Sequence, residues 1–570
     1  MVEVFNNAPR RMAYSKATRL MRRLFNAHME ADQRDVPVDK VLEIYKTRDE
    51  LQSRYATGDV SRREFVRLMG LTGATVAAYT ASAGLTKPAR AQAGARVVII
   101  GGGLAGVRCA HMLSQHAITA DIYEASSRLG GRTYTDTQSI PGETLEHGGA
   151  FISTEHNALR NLLNNLGLKM EVVNGGAMLE GEEIYLIDGQ YYTEEEANAD
   201  WQIAWTAFKD ELHLAPWPQT YDVNTPRGIE LDNMSVSDWF DPAHPLSNPT
   251  LAQFGPDSRF AKLCYATLVA EYGADYQVQP ALNLLYLLAW NPIGSITPLP
   301  GTDEYYHVIG GSQRVVDVMS TQLPGQVYLD TALTAISGTA SGPYTCSFSD
   351  GSTTVADKLI LTLPFATLRD VSISPAIWDS FRLEKQMAIS SLPMGTNAKI
   401  HIELTDRTWG PDHPQVINGQ ERVLNGVSYS DPAGFQCIWD SSVPKANGPV
   451  FLLYFPGGTQ GASLRGRTPF GPANSKDVAR VLSQVDTVFP GTSTAYTGRA
   501  MQSFWAAAPW QKGAYSYWGI GDYTSFVGAA ELAESNIHFA GEHTSVEYQG
   551  YMEGAVRSGE RAAKEVFQSL

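Results

Sequence analysis

Cysteine is scarce in this chain: 4 in 570 residues, at Cys109, Cys264, Cys346 and Cys437. Their wide scatter makes neither a metal-ligand spacing nor a disulfide framework, which leaves four free and mostly buried thiols. Positive charge is also in short supply, with 44 Lys and Arg against 60 Asp and Glu and a net charge of −16. Nucleic acid is thereby excluded as a partner, because gripping a phosphate backbone takes clustered Lys and Arg. A small substrate is not excluded, since its site carries a local field of its own. Long apolar runs are missing too. The best stretch, Leu68 to Leu85, is interrupted by Gly, Thr and Ser and is too short for a stable membrane span. No compelling His–carboxylate pair stands out to serve as a general base. What is present is 43% hydrophobic and 18% charged, the composition of a folded globular protein. The length exceeds one ordinary core and predicts two interleaved domains.

Residues 1–93 read as an extension followed by a leader. Ser61-Arg62-Arg63-Glu64-Phe65-Val66 resembles the twin-arginine export signal, and Ala91-Gln92-Ala93 supplies a small-x-small cleavage site. That implies a periplasmic or secreted protein with the twin-arginine export machinery as a partner. Ahead of the arginine pair, Ala17 to Met29 sets Arg19, Arg22 and Arg23 beside Leu20, Met21, Leu24 and Phe25. The pattern suits either a helix lying on a membrane surface or a pro-segment helix, so peripheral membrane contact is one of two readings.

The most informative stretch is Ala95 to Thr135. Val97 to Ile100 is an unbroken apolar run rich in β-branched residues, the signature of a strand buried on both faces. Gly101, Gly103 and Gly106 follow in G-x-G-x-x-G spacing. The first permits a sharp turn, the second lets backbone approach a pyrophosphate, and the third lets helix pack close on strand. A helix over Leu104 to Gln115 then points its N–H groups and positive dipole end at the phosphates. A second apolar run, Ile118 to Tyr123, ends at Glu124, whose carboxylate suits a ribose diol. Strand, glycines, helix and acid together predict dinucleotide binding.

The continuation Arg128-Leu-Gly-Gly-Arg-Thr133 selects the dinucleotide. It resembles the second half of the long fingerprint in flavin-dependent amine oxidases, a family that includes monoamine, polyamine and L-amino acid oxidases. The resemblance implies FAD, with the two glycines close to it and Arg132 near its phosphates. Glu143 to Leu168 resembles the family's next block, in which Gly148 and Gly149 pass the flavin ring and an amphipathic helix follows over Ala158 to Leu166. L-Amino acid oxidases usually carry an arginine here that clamps the substrate carboxylate. Phe151 stands at that place, which implies a substrate without a carboxylate or one held by a base elsewhere.

From Lys169 to Tyr306 the sequence is irregular and rich in Trp, Tyr and Pro, with helical segments over Phe260 to Tyr272 and Pro280 to Trp290. This reads as substrate domain and entrance. Val308-Ile-Gly-Gly-Ser-Gln313 resembles the family's return to the cofactor domain. A strand over Gln326 to Leu329 follows, with Val327 implied to meet the adenine through its backbone. Next come a hairpin turning at Ser349-Asp350-Gly351 and a buried strand over Lys358 to Leu363.

Chemistry is expected in the last third. Lys399 sits among apolar neighbours in a predicted strand, and in the family such a lysine binds a water beside flavin N5. A partly buried ammonium has a lowered pKa and can orient water or help dioxygen accept electrons. Pro509 to Tyr517 resembles the region where some monoamine oxidases bind FAD through cysteine. Ala514 stands there instead, implying non-covalent FAD. Tyr515 and Tyr551 match the aromatic pair that flanks the substrate nitrogen. After a strand over Asn536 to Ala540, Gly541 and Glu542 place a carboxylate on the ribityl hydroxyls. A helix opening at Gly550, with Tyr551 and Met552 in its first turn, steadies negative charge on the reduced flavin.

The expected architecture is therefore α/β: a discontinuous Rossmann-like FAD-binding domain (residues 94–168, 307–370 and 530–570) interleaved with an α+β substrate-binding domain (169–306 and 371–529). The expected reaction is oxidative deamination with O2, giving a carbonyl compound, ammonia and H2O2. The chain resembles exported bacterial proteins of this layout that include broad-range L-amino acid oxidases lacking the usual clamp, and this resemblance makes L-amino acids the first-choice substrate. Monoamine or polyamine oxidation, a flavin amine dehydrogenase with another acceptor, and a flavin-bearing binding factor without turnover are the alternatives.

Overall fold

The computed structural model describes residues 94–140, 142–173, 181–297, 303–442, 449–466 and 468–570. The arginine pair and the rest of the N-terminal extension lie outside the described residues.

Five strands form a wholly parallel sheet, in the spatial order Ile537–Phe539, Lys358–Leu361, Val97–Ile100, Ala120–Tyr123, Val327–Tyr328. Three separate stretches of chain thus build one sheet. Val97–Ile100 holds the centre with all four residues buried, the environment its unbroken apolar run demands. The helix Leu104–Gln115 follows as predicted. The tail helix Met552–Gln568 lies directly against it: a Cβ on Gly559 would stand 2.4 Å from the Ala105 carbonyl oxygen, so only glycine allows this approach. Arg108 and Glu560 bridge the same two helices at 2.6 Å. Head and tail of the described chain close on one another.

The hairpin Tyr344–Phe348 and Thr353–Ala356 turns where expected and joins Leu333–Gly338 and Ser372–Ile373 in a four-stranded sheet. A third, eight-stranded sheet runs Phe470–Pro472, Tyr496–Phe504, Ala398–Leu404, Val450–Tyr454, Cys437–Asp440, Leu424–Ser430, Glu182–Ile187, Gln190–Thr193. Its last hairpin, in a region that reads as irregular and helical, was not expected. The following helix, Glu194–Leu214, starts on a capping box in which Thr193 and Glu196 satisfy each other's backbone N–H groups. The helix Arg259–Tyr272 is nearly all buried and stops at Gly273, whose φ of +67° is left-handed. All four cysteines are free and buried.

One boundary differs with consequence. The C-terminal helix begins at Met552, not at Gly550, because Gly550 has φ +84°, outside the helical region. Tyr551 is therefore the residue before the helix, free to turn its ring inward.

Candidate active site

A single cavity of about 570 Å³ runs from the carboxyl ends of the parallel strands to the eight-stranded sheet. At one end lies the glycine turn. Gly101 has φ +103° and a Cβ there would reach Thr362 Oγ1 at 2.6 Å; at Gly106 it would overlap the Gly101 carbonyl oxygen at 2.1 Å. At Gly103 the added Cβ meets nothing within 4 Å. Gly101 and Gly103 line the cavity and Gly106 does not, which matches their separate roles of turn, approach and packing. The helix starting at Leu104 has no side-chain cap and no acidic residue in its first turn. Its orphan N–H groups are left for an anion.

Glu124 lines the cavity and is aimed by the Gly102 N–H at 2.7 Å and the Ser126 hydroxyl at 2.6 Å. Arg132 also faces the cavity and pairs with Glu542 at 2.6 Å. Arg128 is half-buried, stacked 3.8 Å from the Tyr134 ring, and braces the loop by donating to the Gly131 carbonyl. Glu542 accepts from Arg132, from the Ser516 N–H and hydroxyl, and from the Gly550 N–H at 2.7 Å. Four acceptor sites are thus occupied by the protein, so Glu542 braces the cradle and is not free for the ribityl hydroxyls. Its carboxyl stays below its ordinary range because Arg132 and these donors outweigh burial, which pushes the other way.

Val327 lies on the edge strand of the parallel sheet. It pairs with Ile122 in the sheet and is not among the cavity-lining residues, where Thr331, Ala332 and Leu333 stand instead. The sheet bonds on this strand are made by the Gln326 carbonyl, which accepts from Ile122, and the Tyr328 carbonyl, which accepts from Glu124, so the Val327 backbone faces the open edge of the sheet. Gly148, Gly149, Gly541 and Met552 all line the cavity. A Cβ on Gly148 would stand 1.6 Å from the Arg132 carbonyl oxygen and one on Gly149 would stand 2.9 Å from Met552, so backbone itself forms that wall.

Lys399 is the second residue of the strand Ala398–Leu404 and its ammonium points at this wall, donating to the Gly148 carbonyl at 2.6 Å and the Glu146 carbonyl at 3.1 Å. Burial pulls its pKa down to about 8, against the opposing pull of Glu146 and Glu304. Beside it, His147 donates to or accepts from Ser503 at 2.7 Å and lies 3.5 Å from Asp136. This His–carboxylate pair did not stand out in the sequence. Burial keeps the imidazole neutral, with its pKa pulled to about 4, so it is poorly suited to hold a proton near neutrality.

Tyr515 and Tyr551 both line the cavity, and Tyr515 lies against Gly550, where a Cβ would be 2.9 Å from its ring. The Tyr551 hydroxyl donates to Glu271 at 2.7 Å. Phe151 lines the same space. Sequence reasoning missed the carboxylates here: Glu183, Glu271 and Glu304 all face the cavity. Burial pushes Glu183 and Glu304 up to about 7, and Glu304 is raised further by Glu271. One signal was available, an acidic residue closing the apolar run Leu268-Val269-Ala270 in the helix that ends at Tyr272.

These features fit FAD. An uncapped helix N-terminus behind an open glycine accommodates a pyrophosphate, Glu124 a ribose, and the glycine wall near Lys399 a flat ring. Fold and cavity together define a flavin-dependent oxidoreductase. The chain belongs to the flavin containing amine oxidoreductase family, which it matches over residues 104–567. It is 24% identical to a flavin-containing amine oxidase of Danio rerio, over 83% of this chain and 86% of that protein. It is also 24% identical to an L-amino acid dehydrogenase of Synechocystis sp., over 83% and 95% respectively. Among solved structures, cyclohexylamine oxidase from Brevibacterium oxydans superposes with a TM-score of 0.68 at 21% identity, covering 83% of this chain and 99% of that one.

Proposed function

We propose that the protein is an FAD-dependent oxidase of small amines that carry no carboxylate. The charge of the cavity wall carries this reading. Glu183, Glu271 and Glu304 line it, whereas its described cationic side chains are Arg132, already paired with Glu542, and Lys399, already bound to two carbonyls, beside two histidines. His307 is itself paired with Glu171. A buried acidic wall attracts an ammonium and repels a carboxylate. Phe151, at the place of the usual arginine clamp, agrees. Oxidation of L-amino acids, the first-choice expectation from sequence, is the second reading, supported by the similarity to an L-amino acid dehydrogenase.

FAD supplies the hydride acceptor and the route of the electrons to dioxygen. The chain supplies position and environment. Tyr515 and Tyr551 line the cavity close to one another, and their rings would favour a positive charge developing on the nitrogen. Lys399, held by the Gly148 and Glu146 carbonyls, sets a cation behind the glycine wall that would hold the ring, where it would stabilise negative charge. With Ala514 where a cysteine would form the bond, FAD is held non-covalently; acid precipitation should leave a colourless pellet and a yellow supernatant. The Arg62-Arg63 motif supports export of the folded protein to the periplasm or beyond, and replacing both arginines by lysine should keep it in the cytoplasm.

An anaerobic screen of primary amines and L-amino acids against flavin absorbance, with peroxide measured in air, tests the proposal. Bleaching by amines with peroxide formation is the expected result. Bleaching confined to amino acids would install the second reading, and bleaching without peroxide would point to a dehydrogenase.

A further inference from the structure

The amine reading leaves a chemical gap: an alkylamine arrives as its ammonium ion, which has no lone pair to drive oxidation. Resting on that reading, we infer that Glu271 is a catalytic residue that binds the incoming ammonium and removes one of its N–H protons, delivering a neutral amine to the Tyr515–Tyr551 pair.

Four observations meet at this residue. Glu271 lies in the last turn of the helix Arg259–Tyr272, where the backbone's partial negative charge favours a cation. It lines the cavity, and one carboxylate oxygen accepts from Tyr551 at 2.7 Å, which ties the acid to a ring of the aromatic pair. Among the described residues no further donor reaches the carboxylate, so its other oxygen remains for a ligand. The charged and titratable groups around it are Glu304 on the segment before Tyr305, Tyr515 and Tyr551 on the C-terminal segments, and Tyr272 on its own helix. None of these is a cation.

The alternatives in the cavity are less suited. Glu304 has the Lys399 ammonium as a countercharge. Glu183 sits on the strand Glu182–Ile187, where it accepts from the Tyr185 hydroxyl. Burial holds the Glu271 carboxyl above the ordinary carboxylate range, as it does Glu183 and Glu304, and Tyr551 pulls it partly back; its place beside the Tyr551 ring is what sets it apart.

The step balances without an oxidant. An N–H bond breaks, an O–H bond forms on Glu271, and both electrons stay on nitrogen as the lone pair. The proton returns to solvent when product leaves.

The test is the pH dependence of anaerobic flavin reduction by n-butylamine and by 2,2-difluorobutylamine, whose ammonium form is largely gone by about pH 8. Wild-type holoprotein should reduce with n-butylamine near neutrality. Glu271→Gln should react only with the free amine, so its rate rises about tenfold per pH unit up to the amine's own pKa. For the difluoro amine the variant-to-wild-type ratio should return close to one near pH 8. An independent readout is the proton count on binding tert-butylamine, which has no hydrogen on the carbon bearing its nitrogen and so is not oxidised, by calorimetry in two buffers. Wild type should exchange almost no protons; the variant should release about one or lose binding. Should Glu271→Gln fail to retain FAD, Glu271→Asp should keep the wild-type pH profile at a lower rate. Identical pH profiles and proton counts in Glu271→Gln and wild type would overturn the assignment. Wild-type flavin that no amine bleaches would instead overturn the amine reading itself.

Discussion

Alanine placed at Gly103 and at Gly106 should produce opposite phenotypes, although the two positions are less than one helical turn apart. At Gly106 the new methyl would stand 2.1 Å from the Gly101 carbonyl oxygen and 2.9 Å from Thr362 Oγ1, in a spot where backbone meets backbone. Helix and strand must separate by roughly 1 Å, an overpacking cost of about 3 kcal/mol. Better helix propensity offsets about 1 kcal/mol of it. The net loss of about 2 kcal/mol should lower the apoprotein Tm by about 2 °C. At Gly103 the backbone is extended, with φ −69° and ψ 177°, and the methyl meets no protein atom within 4 Å. Apoprotein stability should change by less than about 1 kcal/mol, the small penalty for alanine at an N-cap. The methyl instead occupies the space through which a pyrophosphate reaches the helix N-terminus. Losing one or two charge-assisted hydrogen bonds costs about 3 kcal/mol, or roughly 100-fold in the Kd for FAD. Calorimetry on the apoproteins and flavin-fluorescence titration give both quantities. If Gly103→Ala binds FAD within about twofold of wild type, or Gly106→Ala melts with wild type, the assignment of the cradle is wrong.

Other perturbations follow from the same geometry. The Lys399 ammonium loses its proton near pH 8 in the folded protein and above 10 in the unfolded chain. The unfolded state therefore binds more protons between these values, and this residue's contribution to stability should improve as pH rises through that window. Lys399→Met should remove that slope from denaturation curves and slow flavin reoxidation, with FAD still bound; unchanged reoxidation would remove Lys399 from the chemistry. Glu542→Gln strips Arg132 of its partner and should destabilise the holoprotein by roughly 3 kcal/mol with release of FAD on dilution; a Tm equal to wild type would show the brace to be dispensable. Phe151→Arg should shift flavin bleaching toward L-amino acids relative to amines, since it places a guanidinium in the cavity wall. A ratio that does not move would mean that residue 151 is not where substrate ends lie.

The dinucleotide cradle was legible in the sequence because it is contiguous. A buried strand, three spaced glycines, a helix and an acid 23 residues after Gly101 are read off one short stretch, and each residue's role follows from local sterics. Lys399, Tyr515 and Tyr551 were legible only through motifs around them, and the structure brings all three to the cavity. That Val327 stands on the edge strand, while Thr331, Ala332 and Leu333 line the cavity, was not legible, because only the pairing with Ile122 tells an edge-strand residue from a neighbouring cavity residue. Gly550 was placed in a helix because glycine gives no sign of its φ until the turn is built.

What the sequence determined by itself is the cofactor end: binding a diphosphate depends on backbone geometry, and backbone geometry is written locally in glycine spacing. What only tertiary structure decided is the charge of the substrate end. Glu183, Glu271 and Glu304 come from a strand, a helix terminus and a loop, and each reads alone as an ordinary acid. A carboxylate's meaning depends on what surrounds it, and folding alone buries these three around one cavity, with Glu271 and Glu304 beside Tyr515 and Tyr551.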